Sequence, residues 1–432
     1  MTVTHEITLS YKKDSIEITQ VLPDKSVYTT TLTQKKYSEL KELCQFPLDT
    51  MDKTRAIGKI IFDVLNGDKK ILEKSFKEAD AHGVRLTLLV TTDFNTEHVY
   101  EPDFPFESLY HPTHSPTPSI HIIRKISDYG HKKPFSPKDH PLKMLFIACS
   151  PLDVEPVLKF EKEEETIFDI TKELPVDMDV EDTGSLQGLK TACESTEYDI
   201  VHITGHANID ENGPYFCMEN EEGYKDIVRP HQLWEVLRDS RSLRLIFLSG
   251  CRTGENRAAF SFGHQLVESH TPPVIGWGLP VTDPGAREAA EKLYYELGKG
   301  KSVLDAVFVA RRLLYENNKS DWCLLRIFSD GTNLGIPIVE KGQKKSVKRR
   351  ELQYMYLERS HVKVLKKGFV GRRRKIQKGV RSLKDKKMWS INSVSILHSI
   401  QPFQIFFSNY QFLHIFVNNS CFLKFRSSNS VF

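Results

Sequence analysis

The sequence has no Cys-x-x-Cys pair, no Gly-x-x-x-x-Gly-Lys-[Ser/Thr] phosphate loop and no Gly-x-Ser-x-Gly elbow. Its seven cysteines (Cys44, Cys149, Cys193, Cys217, Cys251, Cys323 and Cys421) are scattered and odd in number. That pattern argues against a disulfide framework or a zinc ribbon, and for a reducing compartment. Without a phosphate loop nucleotide hydrolysis has no support, and without the elbow a common serine-hydrolase arrangement is missing. Charge of neither sign dominates. Lys and Arg number 60 against 57 Asp and Glu, a formal net charge of +3 that points to no particular partner. The N-terminus, Met1-Thr2-Val3-Thr4-His5-Glu6, lacks a basic start followed by an apolar stretch, so no signal peptide is read there. The stretch after Met388 is crowded with Phe and Ile, but Gln401, Pro402, Gln404, Ser408, Asn409 and Gln411 interrupt it too often for a membrane span. A cytoplasmic protein without membrane contact is expected.

What is there begins with strand-like alternation. Over residues 3–33, Ile7 and Leu9, then Ile16 and Ile18, alternate with polar neighbours around turns at Lys12-Lys13-Asp14 and Pro23-Asp24, predicting a small antiparallel edge. Apolar residues three and four apart predict amphipathic helices over 54–65 and 70–81, followed by a strand at 84–91. Pro102, Pro105, Pro112, Pro116 and Pro118 mark residues 102–119 as a covering loop, in which His111 and His114 read as solvated rather than metal-bound. From Leu142 strands alternate with helices. Strands are expected at 144–149, 176–180, 199–206, 243–251, 274–278 and 324–328, with helices at 158–174, 185–195, 230–238, 258–268, 285–297 and 302–315. Residues 215–218 and 226–228 flank a turn and read as a hairpin insertion. Thr183 is the expected cap of the helix from Ser185, and Pro230 occupies a favourable first-turn position. Such alternation predicts parallel pairing with right-handed crossovers, hence a three-layer αβα domain.

Two of these strands end in reactive side chains. Asp199 to His206 and Leu243 to Cys251 are β-branched and aliphatic runs bounded by glycine. In a parallel α/β sheet ligands bind outside the carboxyl ends of the strands, where His206 and Cys251 would face one another. An imidazole beside a thiol supplies the base that makes a thiolate nucleophile. Two readings of Cys251 stand at this point, a nucleophile or a buried core thiol, and His206 reads equally as a polar strand end. Gly205 and Ala207 leave the backbone open to a ligand, so amides at Ala207 and at Gly250-Cys251 would suit an oxyanion. His202 and His206 cannot share a metal ion, because four residues of strand separate them by about 13 Å.

His202-Ile-Thr-Gly-His-Ala207, Leu248-Ser-Gly-Cys251, Val274-Ile-Gly-Trp-Gly-Leu-Pro-Val-Thr-Asp283 and the helix 302–312 resemble the CHAT domain, a caspase-like peptidase family related to separase. Phe104-Pro-Phe-Glu-Ser-Leu-Tyr110 resembles that family's Pro-Trp-Glu segment, with Phe106 in place of tryptophan. The resemblance covers roughly 50–340. It implies a cysteine endopeptidase in which Cys251 attacks the scissile carbonyl and His206 handles protons. Similarity to basic-specific relatives implies that Asp283 selects Arg or Lys before the cut; helix N-cap is its other reading. No cofactor or metal is implied. Implied partners are a protein or peptide substrate and a sensor or regulatory protein, in a bacterial signalling or defence system.

After Ile338 the chain turns basic. Lys344, Lys345, Lys348, Arg349 and Arg350, then Lys363, Lys366, Lys367 and Arg372 to Lys375, read as a solvated linker helix, with nucleic-acid contact the weaker reading. Gly368-Phe-Val-Gly-Arg-Arg-Arg-Lys-Ile376 resembles the entry to signalling ATPase modules, and the missing phosphate loop implies a truncated one. The expected fold class is α/β, a three-layer αβα caspase-like fold with a mostly parallel central sheet behind a smaller α+β N-terminal region. The boundaries read as 1–50 (β-rich), 51–340 (peptidase region, catalytic half from 142), 341–387 (basic linker) and 388–432 (non-native or disordered tail). Alternatives to the peptidase are a degenerate caspase-fold scaffold and another Cys-His amidohydrolase.

Overall fold

The computed structural model describes residues 2–12, 15–44, 48, 50–93, 104–109, 120–126, 134–155, 165, 167–169, 171–250, 258–268, 271–278, 281 and 283–345. Further along it describes 354–356, 363–365, 373–374, 377–378, 381, 390–393, 403–408, 412–417 and 420–426. The chain divides into two compact units. One holds residues 1–218 and 226–346, the other residues 219–225 and 347–432.

The first unit opens with β1 (Val3–Lys12), β2 (Ser15–Val21) and β3 (Val27–Leu32), then α1 (Gln34–Leu43), α2 (Met51–Asn66), α3 (Ile71–Ala81) and β4 (Leu86–Asp93). A 3-10 turn at Phe106–Ser108 and β5 (Ile120–Lys125) follow. The second half runs β6 (Leu142–Ala148), β7 (Val176–Glu181), α4 (Leu186–Ser195), β8 (Ile200–Asp210), β9 (Gly213–Glu219), β10 (Lys225–Val228), α5 (Pro230–Leu237), β11 (Leu245–Gly250), α6 (Ala258–Glu268), β12 (Val274–Trp277), α7 (Asp283–Gly298), α8 (Val303–Glu316) and β13 (Leu325–Ser329).

All thirteen strands form one sheet, in the order β10-β9-β8-β11-β12-β13-β5-β4-β1-β2-β3, with β6 pairing both β7 and β8. Strands β7, β6, β8, β11 and β12 are mutually parallel along their pairings. The expectation of parallel pairing fails at β13, which runs antiparallel to β12. The reason is a count of crossings. One helix between strands returns the chain to the same end of the sheet, whereas α7 and α8 cross twice and deliver it to the opposite end. β13 then continues in parallel into β5, β4 and β1, so two parallel blocks of opposite direction meet at β12 and β13. β1, β2 and β3 pair antiparallel, as the alternation over 3–33 predicts, and form the far edge of this same sheet.

Side-chain alternation explains the three layers. On β8, Val201 and Ile203 enter a core with Leu189 of α4, Leu233 and Leu237 of α5, and Phe262 and Leu266 of α6. Ile200 joins the opposite core with Leu293 and Leu297 of α7 and Val307 and Leu314 of α8. Each such side chain taken fully from water contributes roughly 1.5–3 kcal/mol. No described helix is long and apolar enough to cross a membrane.

Local expectations hold with named exceptions. Ser185, not Thr183, caps α4, its hydroxyl accepting from Gly188 N–H at 3.0 Å. The Thr183 hydroxyl instead donates to the Glu181 carboxylate at 2.6 Å. Strand β5 is absent from the pattern reading, because it follows the proline-rich stretch and carries His121 and Arg124 among its isoleucines. The expected helix at 158–174 lies largely outside the described residues, and His111 and His114 lie wholly outside them.

In the second unit Tyr354–Tyr356 (β14) pairs Lys363–Leu365 (β15), and Ser390–Ser393 (β16), Phe403–Ser408 (β17), Phe412–Val417 (β18) and Ser420–Arg426 (β19) form an antiparallel sheet. Residues 388–432, read as a tail without strand alternation, thus contain four strands. Runs of consecutive apolar residues in the sequence, Phe406-Phe407 and Ile415-Phe416-Val417, hide the period of two that identifies a half-buried strand.

Candidate active site

The carboxyl ends of β8 and β11 are built as a pair. Their register runs from Leu245 opposite Ile200 to Gly250 opposite Gly205. Two hydrogen bonds staple this end: the Thr204 hydroxyl donates to the Ser249 carbonyl at 3.0 Å, and Cys149 N–H donates to the Thr204 carbonyl at 2.7 Å. Gly205 is required by close approach. A Cβ there would lie 2.6 Å from the Phe216 ring and 2.9 Å from the Cys149 carbonyl oxygen.

His206 follows, fully buried, opposite Cys217 of β9 in antiparallel register. Ala207, also buried, stands opposite Phe216. Gly250 is the last residue of β11, and Cys251, joined to it by the next peptide bond, lies outside the described residues. Asp283 is the first residue of α7; its backbone is described and its side chain is not.

One buried polar contact relates these elements. His202 shares the face of His206, and its register partners on both sides are aromatic: Phe146 on β6 and Phe247 on β11. The imidazole stacks on Phe247 (4.6 Å, 22°) and meets Phe146 edge-on (5.1 Å, 82°). Its Nδ1 hydrogen-bonds the Tyr294 hydroxyl of α7 at 2.7 Å. Burial lowers the His202 pKa to about 3, so the ring is neutral. Tyr294 therefore pins α7 at the level of His202. The helix start lies eleven residues back, about 16 Å at 1.5 Å per residue, while His206 lies about 13 Å up the strand. The chain enters α7 from the carboxyl end of β12, so the start of α7 is on the His206 edge of the sheet.

Tyr294→Phe strands a dehydrated imidazole nitrogen at a cost of about 1–3 kcal/mol. Urea unfolding is expected to shift to lower midpoint with an unchanged m value.

Glu107 of the Phe-Pro-Phe-Glu segment is not on a covering loop. It is buried, with Phe104, Phe106 and Leu109 packed in the core. Its carboxylate accepts two hydrogen bonds from Arg124, at 3.0 and 2.6 Å. Arg311 and Arg326 approach the same carboxylate at 3.9 and 3.6 Å. The Arg311 Nε–H donates to the Leu325 carbonyl at 2.7 Å, and Leu325 faces Trp277, so the cluster stands at the carboxyl end of β12. Burial lowers the pKa of Arg311 to about 10 and of Arg326 to about 9. Gly278 makes room for Arg326, since a Cβ there would fall 2.1 Å from the guanidinium carbon. Sequence reading missed this cluster and Tyr294. The available signal was an arginine inside an apolar run, between Leu325 and Ile327 and again on the buried face of α8.

Burial pushes the Cys44 thiol up to about 12, Cys193 to about 11 and Cys323 higher still. These thiols stay protonated at neutral pH and are poor nucleophiles.

Fold and site together define a three-layer α/β protein whose chemistry-bearing strands end side by side at one edge of the sheet. The chain belongs to the CHAT domain family, whose profile matches residues 103–363. It is similar to a chain of the Saccharomyces cerevisiae separase–securin complex, with 12% identity, a TM-score of 0.40, and coverage of 76% of this chain and 30% of that one. It therefore spans less than a third of that chain's length. It is also similar to pro-Sf-caspase-1 (11% identity, 46% of this chain and 95% of that one, TM-score 0.32). Caspase-1 from Spodoptera frugiperda shows 13% identity over 52% of this chain and 98% of that one, with a TM-score of 0.31. No curated protein matches the chain in sequence.

Proposed function

We propose that this protein is a cysteine endopeptidase that cuts a protein substrate after a basic residue, in a bacterial signalling or defence system. The observation that carries the reading is the register of β8 and β11. Gly205 and Gly250 are paired on adjacent parallel strands, and His206 and Cys251 are the residues that follow them. In this reading His206 takes the Cys251 proton as sulfur attacks the scissile carbonyl, and the oxyanion is held by backbone amides at Ala207 and Gly250. Collapse expels the amine, which receives its proton from the imidazolium, and leaves a thioester. Water, deprotonated by His206, then attacks the thioester, releases the acid and restores the thiol.

Asp283 supplies specificity in this reading, through a charge-assisted pair with the Arg or Lys side chain preceding the cut. The start of α7 on the His206 edge supports it. A peptide library is the test. Cleavage is expected after Arg and Lys, and Asp283→Asn is expected to reduce that preference by about 10-fold or more. Preference for an acidic residue overturns the Asp283 assignment, and failure to cut any peptide overturns the peptidase.

A further inference from the structure

The thirteen-stranded sheet has three margins: β3 and β10 end the strand order, and β7 pairs β6 alone. Two of them carry charge, which discourages further pairing. β7 holds Asp177, Asp179 and Glu181, and β10 holds Lys225 and Asp226. β3 reads Val27-Tyr28-Thr29-Thr30-Thr31-Leu32, with no charge, proline or glycine. Val, Tyr and Thr favour extended pairing. Val27 is 60% exposed, and Thr29 and Thr31 are exposed as well. Lys69 and Lys74 are held over the Tyr28 ring, 5.5 and 5.2 Å from its centre, on the face that also buries Gln20 and Leu32.

The main chain of this edge is open in a definite pattern. Leu22 N–H donates to the Ser26 carbonyl at 3.0 Å, in line with the register that pairs Val21 with Val27. Hydrogen-bonded pairs alternate with non-bonded ones along an antiparallel ladder. Tyr28, Thr30 and Leu32 therefore turn their amides and carbonyls toward β2, while Val27, Thr29 and Thr31 turn theirs outward. These outward residues share the face opposite buried Ile16 and Ile18, where the register sets Thr29, Thr19, Thr8 and Thr91 in one row across β3, β2, β1 and β4.

We propose that β3 is a self-association edge, which takes the β3 of a second copy of this chain in antiparallel register about a two-fold axis through Thr29. That axis pairs Thr29 with its own copy and Val27 with Thr31, so every outward amide and carbonyl of the strand finds a partner. It stands perpendicular to the sheet and keeps each face on its own side, so the threonine row continues into the second copy through a Thr29 pair. The occupant follows from charge. A two-fold axis sets a strand against itself, so a strand such as β7, with three carboxylates, would meet its own like charge; β3 has none to oppose. Because this sheet has one uncharged margin, the pairing closes as a dimer and not a filament. The strand is short, so the dimer is expected to be weak and concentration-dependent. Neither the edge nor its test depends on the peptidase reading.

Analytical ultracentrifugation of the full chain over a dilution series is the test, and a reversible monomer–dimer equilibrium is expected. Thr29→Pro removes an outward amide and leaves the β2 ladder intact, the one setting in which a strand tolerates proline. Thr29→Lys and Thr29→Glu each set like charges against one another on the axis. Each variant is expected to raise the dimer dissociation constant about tenfold or more, with circular dichroism and the urea midpoint close to wild type. An equal mixture of Thr29→Lys and Thr29→Glu is expected to restore the dimer, since the axis then joins opposite charges. Wild-type protein that stays monomeric throughout overturns the proposal. So does a dimer that all three variants leave unchanged, or a mixture that stays monomeric although both chains are folded.

Discussion

Alanine at Cys251 is expected to abolish peptide hydrolysis, and alanine at His206 to lower kcat/KM by about 10²–10⁴-fold, the usual worth of a positioned general base. The two effects differ in kind. Removing sulfur removes the covalent route, whereas removing the imidazole leaves a thiol that ionises slightly at neutral pH. Raising the pH toward the ordinary thiol range is therefore expected to recover part of the His206→Ala activity and none of the Cys251→Ala activity. An Arg-directed covalent probe gives the same contrast without turnover: labelling maps to Cys251 and is slow in His206→Ala. The described thiols at Cys44, Cys193 and Cys323 are held protonated by burial and stay unlabelled. Wild-type protein that neither cleaves peptides nor takes the probe is instead a caspase-fold scaffold.

Glu107→Gln is expected to be the most destabilising single change among the residues described, by about 3–5 kcal/mol, the cost of breaking a buried ion pair from one side. The substitution keeps the side chain's shape but turns one of the two oxygens that accept from Arg124 into an NH2 donor, and it removes the carboxylate charge that Arg124, Arg311 and Arg326 approach. Three guanidinium groups with little access to water then repel one another, and those of Arg311 and Arg326 already have lowered pKa values. Equilibrium urea unfolding measures the effect. A loss below about 1 kcal/mol, the level of an exposed ion pair, contradicts the buried-cluster account. Because Arg311 reaches from α8 to the Leu325 carbonyl on β13, the same change is expected to loosen the join between the two parallel blocks.

The amphipathic helices α2 and α3, the strand–helix alternation from Leu142 and the hairpin of β9 and β10 are legible residue by residue. Each has its own period of 3.6 or 2 and its own turn or cap signal. The two strands whose register sets Gly205 opposite Gly250 are legible too, as two apolar runs with glycine before a reactive residue. Local sequence does not show that His206 is fully buried or that it stands opposite Cys217 of β9. Nor does it show the opposed direction of β13, which follows from two helices crossing the sheet in succession.

By itself, then, the sequence determined where chain segments turn, which faces are apolar and which strand ends carry the imidazole and the thiol, since these depend on neighbours a few residues away. Only the tertiary structure decided the partners of buried charge. Glu107 meets arginines 17, 204 and 219 positions distant, and Glu219 meets Arg373 at a separation of 154. A charge carries no periodicity that names its counterion; the low-dielectric interior selects it by proximity once the backbone has brought distant segments together.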